Sequence, residues 1–205
     1  MTPRRCIGAL LAGGAARRFG GTPKGLALVD GERIADRALA ALAASTDEQI
    51  VIANDPHAAK WFPNRLIVPD EVRGLGPLSG LCSALRAAKS DAAGILVVAW
   101  DMPFVTSELL CALRETGEAG ASAVVPVAVD GGPASPLCAY YATESLATCE
   151  RLLEHGERRA ASLAESLASA RVLAGAALAK LGDPARLLRS IDTPDDLAAV
   201  GGTLP

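Results

Sequence analysis

The sequence predicts a three-layer α/β fold in which a mostly parallel sheet carries helices on both faces. Short apolar runs typical of buried strands alternate with amphipathic, helix-like stretches over the first 120 residues. Of the 205 residues, 50% are hydrophobic and 21% are charged, which is typical of a globular chain with a substantial core. No repeat, low-complexity tract or linker interrupts the pattern, so we expect a single domain over residues 1–205.

Four apolar runs predict fully buried strands, because they lack the polar alternation of a half-exposed strand. These runs are residues 6–12, 49–54, 66–70 and 94–101. Helix-like stretches separate them, and the connection from a strand through a helix to a parallel strand is right-handed. The predicted sheet is therefore Rossmann-like.

Amphipathic stretches predict three helices, at residues 32–44, 76–89 and 106–117. The first is rich in alanine. The second has an apolar stripe at helical spacing, formed by Leu78, Leu81, Cys82 and Leu85. The third begins after Thr106, a suitable N-cap, and is expected to end at Gly117.

Beyond residue 120 the pattern changes to turns and shorter elements. Two strand-like segments, 121–129 and 135–142, flank the turn-rich stretch 130–134 and predict a hairpin. The remaining predicted elements are helices around 143–154 and 158–168, a weak strand near 187–191 and a short helix after Pro194.

The charge and hydropathy of the chain exclude several classes of protein. A formal net charge of −3 and a pI near 5.4 argue against a protein that coats nucleic acid. No uncharged run is long enough for a membrane span. Arg4 and Arg5 precede apolar residues as in an export signal, but the apolar run is short, so we interpret it as the first strand. A cytoplasmic protein that binds neither nucleic acid nor membrane is expected.

The cysteines and histidines form no recognisable metal or catalytic motif. Five widely spaced cysteines without a CxxC pair are interpreted as buried free thiols, and they are Cys6, Cys82, Cys111, Cys138 and Cys149. His57 and His155 are expected to be structural or solvated, since His155 suits the carboxyl end of a helix.

The stretch LAGGAARRFGGTPKGL at residues 11–26 points to an anionic ligand. It follows the first predicted strand, and ligands of open parallel sheets bind beyond the carboxyl ends of the strands. Backbone N–H groups in a glycine loop surround phosphate oxygens, while arginine and lysine neutralise their charge. The spacings of the Walker A and dinucleotide-binding loops are both absent. A phosphate site of another kind is therefore predicted.

This stretch resembles the signature L-A-G-G-x-x-x-R-[MF]-G-G-x-x-K of nucleotidyltransferases, which use a nucleoside triphosphate and release pyrophosphate. Within these enzymes it most resembles the molybdenum cofactor guanylyltransferases, the MobA family. The resemblance extends along nearly the whole chain through GPLSGL (76–81), DMPF (101–104), SPLCAYY (135–141), GERRAASLAE (156–165) and IDTPDDL (191–197). It implies a sheet of the nucleotide-diphospho-sugar transferase type. The GTP-binding part is expected at about 1–105, and the acceptor side at about 106–200.

The resemblance also assigns roles to residues of the nucleotide site. It implies catalytic roles for Arg18, Lys24 and Asp101, with Asp101 as the ligand of Mg²⁺. The implied GTP-binding residues are Leu11, Ala12, Gly13, Gly14, Lys24, Asn54, Asp70 and Asp101. The positions of Asp70 and Asp101 at the ends of apolar runs agree, since both side chains would face the same crevice.

The acceptor side is expected to combine glycines, which admit a ligand, with polar residues of the closing motif. The predicted acceptor-binding residues are Gly21, Gly76, Gly80, Ser190 and Asp192. Ser135, Arg158 and Arg159 are further candidates for this side. The family often has asparagines at the positions of Ser190 and Asp192, so this segment departs from the family pattern at both.

The function that the resemblance implies is transfer of GMP from GTP to the phosphate of Mo-molybdopterin, with release of pyrophosphate. A molybdenum insertase, a GTP-binding accessory protein and apo-molybdoenzymes are implied partners, and the chain is expected to be a monomer. One alternative is a cytidylyltransferase acting on molybdopterin or another small phosphorylated acceptor, although Gly14 favours the guanylyl branch. A nucleotide-binding chaperone or regulator of cofactor delivery is the alternative without turnover, and Lys24 with Asp101 argues against it.

Overall fold

The computed structural model describes residues 5–13, 19, 21–70, 76–88 and 92–205. Its strands are β1 (Arg5–Leu11), β2 (Leu28–Val29), β3 (Glu32–Arg33), β4 (Glu48–Ile52), β5 (Leu66–Val68), β6 (Ala92–Ala99), β7 (Ala123–Pro126), β8 (Cys138–Ala142) and β9 (Ala170–Leu173). Seven of them form one sheet in the order β5-β4-β1-β6-β8-β7-β9, while β2 and β3 form a separate antiparallel pair. Among the described strands of the large sheet, only β8 runs antiparallel to its neighbours, so the sheet is mostly parallel.

Helices cover both faces of this sheet. They are α1 (Ile34–Ser45), α2 (Ala58–Trp61), α3 (Pro77–Ala88), α4 (Ser107–Glu118), α5 (Leu146–Glu154), α6 (Ala161–Glu165), α7 (Gly175–Ala179), α8 (Pro184–Leu187) and α9 (Pro194–Ala198). The apolar residues of α1 and α4 pack in one core cluster, and those of α3, α5 and α6 pack in a second. Alternate residues of β1 contribute to the two clusters, which therefore lie on opposite faces. The predicted three-layer α/β fold is confirmed.

Two of the strand predictions were wrong in part. The run 66–70 gives only the short strand β5 at the sheet edge, where Leu66 is 57% exposed instead of buried. The prediction of a strand near 187–191 was wrong: Leu187 ends α8, which Asp183 caps, and the residues after it form no strand. The last strand is instead β9, in which Arg171 interrupts the apolar residues and Val172 is 62% exposed.

The hairpin and the predicted N-cap are confirmed. Strands β7 and β8 pair antiparallel, and Val127 bridges Ala134 at the base of the intervening turn. The Thr106 side chain accepts a hydrogen bond from the Leu109 N–H at 3.3 Å. Gly117 does not end α4, which continues to Glu118.

Gly117 is needed for packing. A Cβ on this residue would lie 2.1 Å from Cδ1 of Tyr140, a fully buried side chain of β8. Glycine therefore lets α4 pack closely against the sheet, although it lowers helix propensity by about 1 kcal/mol relative to alanine.

The thiols are free, and most are buried as predicted. Cys6, Cys82, Cys138 and Cys149 are buried, whereas Cys111 is half-buried. Burial raises the pKa of Cys6 and of Cys138 to about 12, so these thiols are protonated at neutral pH. Across the described part of the chain, no helix has the length and apolarity required to cross a membrane.

We expect Gly117→Ala to lower the free energy of unfolding by about 2 kcal/mol, because the new methyl group overlaps Tyr140. Urea denaturation of this variant, and of Glu115→Ala on the exposed face of the same helix, measures the effect. Glu115→Ala should leave stability within about 0.5 kcal/mol of the parent chain. An increase in stability for Gly117→Ala would show that helix propensity outweighs the packing constraint.

Candidate active site

A crevice of about 1010 Å³ opens at the carboxyl ends of the parallel strands. Gly13 follows β1, Asn54 follows β4, Asp70 follows β5 and Asp101 follows β6, and all four line it. This is the edge at which open α/β sheets bind ligands. Its position follows from the sheet order, which places these strands side by side.

The structure brings most of the predicted site residues together. Those that line the crevice are Leu11, Ala12, Gly13, Gly21, Lys24, Asn54, Asp70, Gly76, Gly80, Asp101, Ser135, Ser190 and Asp192. Gly14 and Arg18 lie outside the described residues. Arg158 and Arg159 do not line the crevice, because their guanidinium groups bond elsewhere: that of Arg158 donates to the Leu153 carbonyl, and that of Arg159 donates to the Glu157 carboxylate.

Lys24 lies between two carboxylates in this crevice. Its Nζ donates to Asp101 Oδ2 at 3.0 Å and to Asp192 Oδ1 at 2.6 Å. The side chains of Lys24 and Asp101 are only 15% and 16% exposed, whereas that of Asp192 is 52% exposed. These three residues are called the Lys24 cluster below.

Burial and charge act in opposite directions on the pKa values of the Lys24 cluster. Burial lowers the pKa of Lys24, but the hydrogen bond to Asp192 and the charge of Asp101 outweigh it, so the net pKa is raised. Burial also raises the pKa of Asp101, and the nearby Lys24 ammonium only partly offsets this effect. Lys24 therefore remains a cation at neutral pH.

Backbone contacts bring the three distant segments of the cluster together. Lys24 begins a 3₁₀ turn, Lys24–Leu26, that precedes β2. The Ile191 N–H donates to the Asp101 carbonyl at 2.9 Å, which holds the segment before α9 against the end of β6. The Ser190 hydroxyl donates to Asp192 Oδ2 at 2.8 Å and so orients the carboxylate that Lys24 contacts. Asp192 thus lies beside Lys24, whereas the sequence assigned it to the acceptor side.

Asp70 and Asn54 form a second polar pair in the crevice. The Asn54 amide donates to Asp70 Oδ2 at 2.8 Å, and the Asp70 N–H donates to Asn54 Oδ1 at 2.9 Å. Asp70 Oδ1 is buried and has no hydrogen-bond partner among the described residues. Burial raises the pKa of Asp70, although hydrogen bonds from Asn54 and Ser83 act against the increase. Because Oδ1 has almost no exposed surface, a ligand in the crevice cannot reach it without a rearrangement of Asp70.

Aromatic residues of the crevice wall were not predicted from the sequence. Trp61 and Trp100 line the crevice with ring centroids 6.0 Å apart, and His57 stacks on Trp61 at 6.3 Å. Trp100 could have been predicted to line the crevice because it directly precedes Asp101 in the sequence. Nothing in the local sequence predicted the same for Trp61. His57 also contacts Asp55, and His155 Nδ1 contacts the Arg151 carbonyl, so both histidines have the structural contacts expected of them.

The sheet and its crevice define the class of this protein as a nucleotidyltransferase, an enzyme that transfers a nucleotide from a nucleoside triphosphate. A comparison with known families agrees with this class. Residues 8–172 match the model of the MobA-like NTP transferase domain, and the chain belongs to that family.

Curated relatives and a solved structure cover nearly the whole chain. A "Probable molybdenum cofactor guanylyltransferase" of Chloroflexus aggregans is 37% identical over 94% of this chain and 92% of its own. A relative of the same name from Methanothermobacter thermautotrophicus is 34% identical over 92% and 95%. The crystal structure of molybdopterin-guanine dinucleotide biosynthesis protein A from Archaeoglobus fulgidus superposes with a TM-score of 0.78. It is 28% identical, and the match covers 95% of this chain and 96% of that one.

We expect Asp70→Asn to increase stability at pH 7 and to lose this advantage near pH 4. The pKa of Asp70 in the folded state lies above its ordinary value of 3.8, so its contribution to stability is complete below that pH. That contribution is lost as the pH rises through the folded-state pKa, whereas asparagine is neutral throughout.

Urea denaturation at both pH values measures the difference in the free energy of unfolding. Asp55→Asn, whose side chain is 43% exposed, serves as the control and should change stability little at either pH. Lower stability of Asp70→Asn at pH 7 would contradict this account of the buried carboxylate.

Proposed function

We propose that this chain transfers GMP from GTP to the terminal phosphate of molybdopterin, forming molybdopterin guanine dinucleotide and pyrophosphate. The observation that carries the proposal is the Lys24 cluster at the carboxyl end of the sheet, in a crevice with room for a nucleotide and a second ligand. Membership of the MobA-like family supports the transfer, and the names of its relatives support the guanylyl group and the acceptor.

The nucleotide is proposed to bind between the end of β1 and the start of α3. Leu11, Ala12 and Gly13 line the crevice here, and Gly14 is the next residue in the sequence. The Leu11 carbonyl and the Ala12 N–H already pair with Trp100 and Ile52, so the Ala12 carbonyl and the Gly13 backbone are proposed to contact the base. Asp70 and Asn54 also line the crevice and are proposed as polar neighbours of the nucleotide. The Asn54 amide donates to Asp70 Oδ2 and so fixes the direction of the carboxylate.

The donor set of the crevice fits a magnesium ion. Mg²⁺ prefers oxygen ligands and is commonly held by one or two carboxylates together with substrate phosphates. Asp101 is the proposed ligand, and Asp192 offers a second carboxylate beside the same ammonium. In the described ranges, no group of three or more His, Cys, Asp or Glu side chains is placed to hold a metal ion. When bound, Mg²⁺ would offset the negative charge of the triphosphate and of the departing pyrophosphate.

The transfer step depends on correctly positioned phosphates and on positive charge beside them, and much less on proton transfer. A phosphate oxygen of molybdopterin attacks the α-phosphorus of GTP, a new P–O bond forms, and the bond to the β-phosphate oxygen breaks. The attacking phosphate is already an anion near neutral pH, so no general base is required. Lys24 remains protonated because its pKa is raised, and it is proposed to stabilise the leaving pyrophosphate together with Arg18.

The acceptor is proposed to bind on the other side of the Lys24 cluster. Gly21, Gly76, Ser135 and Ser190 line this part of the crevice together with Asp192, whereas Gly80 lies against Asp70 and Leu11 on the nucleotide side. Gly76 precedes α3 and is proposed to leave space for the ligand. The first N–H groups of α3 are taken, since Leu78 N–H donates to the Arg158 carbonyl and Ser79 N–H to the Gly76 carbonyl. The molybdenum insertase, accessory protein and apo-molybdoenzymes stay predictions.

Dinucleotide formation with purified molybdopterin and Mg²⁺, comparing GTP with CTP, tests the proposal. Product from GTP alone is expected. Product from CTP alone would keep the reaction and assign the chain to cytidyl transfer. Tight GTP binding without product from either nucleotide would favour the nucleotide-binding chaperone or regulator.

We expect Asp101→Asn to lower kcat by about 10²- to 10³-fold while GTP still binds, because the neutral side chain no longer holds a divalent cation beside the phosphates. The measurement is steady-state dinucleotide formation together with calorimetric GTP binding. Asp195→Asn is the matched control, since Asp195 is an exposed carboxylate on α9 that does not line the crevice. A kcat within about twofold of the parent enzyme would remove Asp101 from the proposed chemistry.

A further inference from the structure

Gly25 lies against the face of the Trp100 indole. It is a buried residue of the 3₁₀ turn that begins with Lys24. A Cβ added to Gly25 would lie 2.5 Å from Cε3, 2.6 Å from Cδ2 and 2.9 Å from Cγ of Trp100. All three distances are too short for carbon atoms in contact, so only glycine allows the turn to approach the ring this closely.

Trp100 has little freedom to move away from this contact. It is 4% exposed, and its ring packs against Trp61. Its backbone N–H donates to the Leu11 carbonyl at 3.2 Å, which ties it to the end of β1. The indole Nε1 is buried without a hydrogen-bond partner among the described residues, so the packing of neighbouring side chains holds the ring in place.

The contact between Gly25 and Trp100 also links the two residues of the ion pair between Lys24 and Asp101. Gly25 directly follows Lys24, and Trp100 directly precedes Asp101. The height of the turn above the indole therefore sets the distance between the Lys24 backbone and the Asp101 carboxylate. A lysine side chain is long and flexible, so a fixed backbone is needed to aim its ammonium.

We propose that Gly25 and Trp100 are positioning residues, which hold Lys24 against Asp101 for the transfer step. The inference rests on the proposed function of Lys24, but the packing it describes is independent of which nucleotide is used. An alanine at position 25 must raise the turn, because the indole cannot give way. Misplacement of a reacting group by about 1 Å costs about 10²-fold in rate, and Gly25→Ala should lower kcat by up to that amount.

Removal of the indole should restore the space that Gly25→Ala requires. Trp100→Leu creates a cavity and should by itself lower kcat modestly. The double variant Gly25→Ala/Trp100→Leu should have a higher kcat than Gly25→Ala, by about tenfold. In a Lys24→Gln background, Gly25→Ala should have little further effect on kcat, because it acts through the ammonium.

A chemical readout separates this inference from the proposed reaction. Lysine acylation followed by peptide mass spectrometry reports the accessibility of each ammonium without any turnover. In Gly25→Ala, acylation of Lys24 should become several-fold faster, and in the double variant it should return toward the parent rate. Lys180 is exposed and far along the chain, so its rate is the internal control and should not change.

Thermal unfolding of all variants accompanies these measurements. An unchanged rate of Lys24 acylation in Gly25→Ala would overturn the inference. So would a double variant whose kcat is no higher than expected from multiplying the effects of the two single substitutions. If the parent chain forms no dinucleotide, the proposed function fails and acylation alone decides the positioning role. An equal, additive loss of kcat from Gly25→Ala in the Lys24→Gln background would assign Gly25 a purely structural role.

Discussion

The ion pairs of Lys24 with Asp101 and Asp192 connect parts of the chain that are far apart in sequence. One residue comes from the turn after the glycine loop, one from the end of the central strand β6, and one from the segment before α9. The Ile191 N–H bond to the Asp101 carbonyl supports the same junction through the backbone. These three segments therefore meet at one ammonium in the crevice.

The charge of this cluster explains what kind of ligand it suits. Two carboxyl groups surround one ammonium, so the cluster has one negative charge in excess when both are ionised. A bare triphosphate would be repelled by the carboxylates, whereas a triphosphate accompanied by a divalent cation offers each group an opposite charge. The burial of Lys24 and Asp101 strengthens these interactions, because water screens them less. Family membership and cluster charge thus support the same chemistry.

The sequence predicted the fold and most of the crevice, because strand ends and glycine loops are local patterns. Gly13, Asn54, Asp70 and Asp101 could be assigned to one edge once a parallel sheet was inferred. Contacts between segments could not be predicted in this way. The pairing of Asp192 with Lys24 and the packing of Gly25 on Trp100 depend on where the chain returns after β9 and on the close approach of a turn to a ring. Strand β9 was missed because it has only four residues and Arg171 lies among them, so its sequence shows neither a continuous apolar run nor a regular alternation.

A metal-bound nucleotide is proposed to occupy the crevice beside Asp101. Anomalous diffraction from crystals grown with Mn²⁺ and a GTP analogue, in which CH₂ replaces the oxygen between the α- and β-phosphates, would locate both the metal and the nucleotide. We expect a manganese peak next to the Asp101 carboxylate, with the phosphates near Lys24 and the base on the side of Asp70. A manganese peak away from Asp101, or a nucleotide bound outside the crevice, would contradict this proposal.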